Sequence, residues 1–123
     1  MSEQGQRVLN SKSWRWMSGM LVAVAPQHAG GTGYYIRLDT LQWIPPRAYP
    51  EFSDPATFGC LLFLVRERYG PHAQLIANQY EQEDQIWSVH DGHLGSDAYG
   101  HEVAHGRTDV EALVNALIML DFA

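Results

Sequence analysis

The chain of 123 residues has a single cysteine, Cys60. It can form no intramolecular disulfide, and no cysteine-based metal cluster within one chain. Lysine is as scarce, with Lys12 alone, and the net charge is −6. An acidic surface argues against a non-specific grip on nucleic acid, which requires phosphate neutralisation. It suits a protein that meets basic partners or imitates a polyanion. No apolar run reaches the ~18 residues of a membrane span. The opening MSEQGQR has no cationic segment leading into an apolar one, so no signal peptide is expected and the cytoplasm is the default. No sequence repeat stands out.

Hydrophobic residues make up 46% of the chain, so a packed core is within reach. The clearest element is DPATFGCLLFLVRERYG, residues 54–70, which carries both of its ends. Asp54 is a good N-cap and Pro55 fits the first helical position. Gly70 suits the C′ position, with Pro71 behind it to stop the helix. Arg66 and Arg68 in the last turn favour the dipole. Phe58, Leu61, Leu62, Val65 and Tyr69 fall on one stripe, and Cys60, Phe63 and Leu64 are apolar too. The spacing predicts a core helix with almost no wet face, or one shared with a partner. Cys60 reads as a small buried side chain.

Residues 1–13 are polar and lack periodicity, and are predicted to be a loose arm. Residues 14–123 then form a single α+β domain. Met20 to Ala25 is a short apolar run closed by Pro26, a buried strand. QHAGGTG is a hairpin turn, and Tyr34 to Leu41 alternates as a second strand, its Tyr34 side the more apolar. Three prolines in IPPRAYPEFS forbid helix and central strand, leaving an extended connection. Strands follow at 73–80 and 86–90, with Asp91-Gly92 as a turn and 100–105 as a short edge strand. Thr108-Asp-Val-Glu111 is a capping box that starts a helix over about 109–120. Val110, Leu113, Val114, Leu117 and Leu120 face one way along it. The order ββα-βββα predicts an antiparallel sheet of about four to five strands with two helices on one face.

The segments WRWMSGM, SDPATFGCLLFLVRERYG and TDVEALVNALIML resemble pieces of small uncharacterised proteins encoded in bacteriophage and prophage genomes. The likeness covers about half the chain, and its motifs are capped helices rather than chemistry. No catalytic residue or activity carries over from it. It implies a phage-derived cytoplasmic accessory protein that binds a host or phage macromolecule. The histidines around 90–105 depart from that pattern and draw nothing from it.

Those histidines include His101-Glu-Val-Ala-His105, in letters the zinc-protease HExxH. That chemistry needs both imidazoles one helical turn apart on a single Zn²⁺, with the glutamate acting on the bound water. Gly100 and Gly106 bracket the stretch, and the capping box starts a helix only afterwards. If extended, the two Cα atoms lie roughly 13 Å apart and cannot share one ion. No third ligand follows at a suitable place. A zinc-dependent hydrolase is therefore the alternative, and His90, His93, His101 and His105 are the residues for any adventitious or intersubunit metal. Gly30-Gly-Thr-Gly33 lacks the lysine and following helix of a P-loop, and Gly95-Ser96-Asp97 lacks the nucleophile elbow. Asp91, Asp97 and Glu102 do not fit a calcium loop.

Trp14-Arg15-Trp16, with Tyr34, Tyr35 and Trp43, could instead form an aromatic platform for single-stranded nucleic acid. Arg7, Lys12, Arg15 and Arg37 would supply its cations. Tryptophan and arginine also dominate protein–protein hot spots. The expected function is thus non-enzymatic protein–protein interaction, through Trp14, Arg15, Trp16, Trp43, Phe63 and Arg66. The turn carrying Glu81, Glu83 and Asp84 could contact a basic partner. No cofactor is expected. Self-association as a homodimer is expected, through the apolar surface of the 54–70 helix or a sheet edge.

Overall fold

The structure is a computed structural model that describes residues 3–26, 28, 30–39, 43–78, 86–92 and 101–122. It is an α+β fold. Helix α1 spans Glu3–Val8, and strands β1, β2 and β3 span Leu21–Val24, Tyr34–Arg37 and Ala48–Pro50. Helix α2 spans Pro55–Tyr69. Strands β4, β5 and β6 cover Gln74–Ala77, Trp87–His90 and Glu102–Gly106, and α3 covers Asp109–Met119. No helix among the described residues is long and apolar enough to cross a membrane.

Among the described residues the strands form two antiparallel sheets of three, ordered β2-β1-β3 and β4-β5-β6. This corrects the single sheet of four to five strands and the two helices. The two halves share a βββα order but differ in how the strands are threaded. The missing strand is β3, which pairs with the outer side of β1 through Val22–Pro50 and Val24–Ala48. The prolines had forbidden a central position, and β3 sits at an edge, where a residue without an N–H is tolerated. Residues expected to extend β2 to Leu41 fall partly outside the described residues. So do the acidic turn of Glu81, Glu83 and Asp84, the Gly95-Ser96-Asp97 segment and His93.

The loose arm expected for residues 1–13 is also corrected. Val8 is fully buried among Leu113, Leu117 and their neighbours. Arg7 Nη2 donates to Asn115 Oδ1 at 2.7 Å, and Ser11 Oγ donates to Asp121 Oδ1 at 3.4 Å. A Cβ on Gly5 would lie 2.7 Å from the Pro50 carbonyl oxygen, so this glycine lets α1 lie against β3.

Helix α2 has the ends its sequence specifies. The Asp54 carboxylate accepts from Thr57 N at 3.1 Å, and Gly70, at φ +119°, donates its N–H to Arg66 O. Leu61, Leu64 and Val65 enter the larger core with Leu113, Val114 and Leu117. Cys60 turns instead toward Met20, Val22, Val24 and Leu38 beneath the first sheet. The helix thus has two buried flanks. It keeps a wet face at Gly59, Arg66 and Glu67, with Phe63 half exposed.

At α3 the Thr108 hydroxyl accepts from Glu111 N at 3.0 Å. Glu111 returns to the Arg107 amide rather than to that of the cap. Ala112 and Ala116 are buried with Leu113, Val114 and Leu117, because small side chains let neighbouring elements approach. Tyr69 Oη donates to Ala116 O at 2.6 Å, joining the two helices. Its burial there pushes the phenol pKa up.

Candidate functional site

Trp14, Arg15 and Trp16 come together with Phe63. Trp14 meets Trp16 edge-on at 5.5 Å between centroids, and Phe52 in the same way at 5.8 Å. Both tryptophans are half-buried, and Trp14 touches both cores. Its indole Nε1 is buried without a hydrogen-bond partner among the described residues. Trp14 therefore serves mostly as internal packing between the two cores, and Trp16 packs against the second. Arg15 reaches outward, with its guanidinium 6.0 Å from the centre of the Phe63 ring. It also donates twice to the Glu67 carboxylate, at 2.6 and 2.9 Å. Those bonds raise the Arg15 pKa and lower that of Glu67.

Arg66 does not join this cluster. Its Nε donates to Ala73 O at 3.0 Å and closes the turn between α2 and β4. Trp43 lies in a separate cleft of about 330 Å³, lined with Tyr34, Pro45, Pro46 and His28. It is 76% exposed, and Tyr34 is 53% exposed. Arg47 holds the cleft's two sides together: Ala25 N donates to Arg47 O, and Arg47 Nη1 donates to Pro26 O, both at 3.0 Å. Arg47 adopts φ +60°, which a side chain other than glycine rarely accepts, so these bonds hold a strained backbone in place.

The other face of the same sheet bears an aromatic hollow that the sequence did not disclose. Ala23 pairs with Tyr35 on one side and Tyr49 on the other. A small residue between two tyrosines leaves a depression of about 290 Å³. The signal for Tyr49 was hidden, because its strand lies inside the proline-rich segment.

The histidines are not assembled as a zinc-protease site. Glu102–Gly106 is a strand, so the expected extended geometry holds, and His101 and His105 do not stack along a helix. His101 N donates to Asp91 Oδ1 at 2.9 Å, and His105 Nδ1 lies 3.8 Å from Glu102 Oε1. His90 sits opposite Gln74 on one side and Glu102 on the other. Among the described residues no three potential ligands come together around a point.

The cations expected for nucleic acid are largely engaged. Arg37 donates to both oxygens of Asp54, each at 2.9 Å. These bonds, with smaller contributions from Thr57, hold the Asp54 carboxyl well below the usual carboxylate range despite some desolvation. Asp54 also accepts from the buried Thr57 hydroxyl, which itself accepts from Leu21 N at 2.7 Å. One carboxylate thereby ties β1, β2 and α2 together. Arg7 is held by Gln4 Oε1 and Asn115 Oδ1.

No family model, no curated protein and no solved structure matches the chain.

Proposed function

We propose that this is a non-enzymatic accessory protein of the phage or prophage type, which binds a host or phage protein in the cytoplasm. The observation that carries the reading is the Trp43–Tyr34 cleft. Two large aromatic side chains stay mostly in water there, beside the Arg47–Pro26 hydrogen bond. Exposed aromatics beside prolines are what a partner buries as anchors. The resemblance of three segments to phage-encoded proteins supports the biological setting. The zinc-hydrolase alternative loses support because His101 and His105 do not share a helical turn. The nucleic-acid alternative loses support because Arg15 and Arg37 each already hold a carboxylate.

Affinity capture with the full chain, followed by calorimetric titration of the identified partner, tests the reading. Trp43→Ala should weaken binding by at least about tenfold, as expected for a hot-spot anchor, with an unchanged thermal melt. Equal binding by wild type and Trp43→Ala would remove this cleft as the interface.

A further inference from the structure

Among the described residues, strand β6 has a neighbour, β5, on one side only. On its open side, among the described residues, Asn115 Nδ2 caps the His105 carbonyl at 2.8 Å. A cleft of about 370 Å³ runs beside this edge, between Val103 of β6, Ile118 and Met119 of α3, and Arg7 of α1. A second hollow shares Arg7 and Ile118 with it and continues to Phe122. Met119 is 55% exposed and Phe122 82% exposed. The edge is thus bordered by the apolar side chains of Val103, Ile118, Met119 and Phe122, interrupted by Arg7, Asn10 and Asp121.

The charges on this ground have two signs. Arg7 is positioned by two neutral amide oxygens, Gln4 Oε1 at 2.6 Å and Asn115 Oδ1 at 2.7 Å. No carboxylate pairs with it among the described residues. Glu102 lines the same cleft from β6, and its neighbour there is the His105 ring rather than an arginine or lysine. A base and an acid on one patch, each without a full counter-charge, make that patch complementary to itself. Self-complementarity is what an interface between two identical copies requires.

We propose that the β6 edge, with Val103, Met119 and Phe122 beside it, is the interface of a two-fold homodimer. Antiparallel pairing of β6 with its copy extends the sheet across the axis. Arg7 of each protomer then meets Glu102 of the other, and the apolar strips cover one another. The two edges of the first sheet are less open to this. Edge β3 lies against α1 and ends in Pro50, and the Arg37 side chain of β2 is committed to Asp54. The inference deepens the reading of the protein as a binding module, but on a different face from Trp43.

Sedimentation velocity of the full chain across a concentration series tests it. A concentration-dependent dimer is expected, and Phe122→Asp with Met119→Asp should give a monomer of unchanged circular dichroism. Arg7→Glu and Glu102→Arg should each weaken the dimer, and the double variant should restore it. A wild type that stays monomeric at high micromolar concentration overturns the proposal, as does a dimer that survives Phe122→Asp with Met119→Asp. A dimer indifferent to both charge changes overturns the Arg7–Glu102 pairing. Trp43→Ala should leave the dimer intact, so failure of partner binding and failure of self-association are read separately.

Discussion

Arg37 grips Asp54 through two parallel hydrogen bonds, each 2.9 Å, and so fastens strand β2 to the first turn of α2. The carboxylate is at once a helix cap and half of an ion pair, which gives the fold an acid-sensitive joint.

The folded pKa of Asp54 lies below its ordinary value of 3.8. Its contribution is therefore complete above that unfolded value and is lost as pH falls through the folded one. Urea unfolding of wild type and Arg37→Leu should show a stability gap that is constant near neutral pH. The gap should begin to close below about pH 4, where the unfolded carboxyl takes up its proton. A gap independent of pH would mean that Arg37 acts by packing alone.

Thr57 is fully buried and its hydroxyl serves two partners. Thr57→Val keeps the shape but leaves the Leu21 amide without its acceptor. The expected loss is about 1–3 kcal/mol, the usual penalty for a stranded buried donor. Thr57→Ser should lose less. Denaturant midpoints at constant slope check both.

Val8 anchors α1. Val8→Ala should cost roughly 2 kcal/mol, from two lost methyl groups and an incompletely refilled cavity. A wild-type denaturant midpoint for this variant would show that the segment contributes nothing to the core.

Two glycines should respond in opposite directions. A Cβ on Gly59 meets nothing within 4 Å, so Gly59→Ala in mid-helix should stabilise by about 0.5–1 kcal/mol. A Cβ on Gly106 would lie 2.7 Å from Ala112 N, at the entry to α3. Gly106→Ala should therefore lower the melting temperature, and the two melts measured side by side decide the matter.

The helices α2 and α3 were legible because their signals are local: Asp54, Pro55 and Gly70 for one, Thr108 and Glu111 for the other. Helix α1 was not, since six residues with one buried anchor, Val8, carry no periodicity. Its support lies across the chain, in Asn115 and the core around Val8. Strand β3 was obscured by the prolines in and before it, which forbid a central place and say nothing against an edge. The division into two sheets was invisible because alternation marks a strand and not its neighbour. The interaction residues split for a related reason. Trp14, Arg15, Trp16 and Phe63 are close in space, whereas Trp43 lines another cleft and Arg66 closes a turn. Exposure, which separates an anchor from a packing residue, is a property of the folded surface.

Helix α2 sends Cys60 into one core and Leu64 and Val65 into the other. A backbone nick at Pro71 would therefore leave neither fragment self-sufficient: the first would bear a helix with a bare flank, the second an α3 stripped of its mate. Mixed, the halves should find each other again, which makes this polypeptide a candidate for split-protein reassembly.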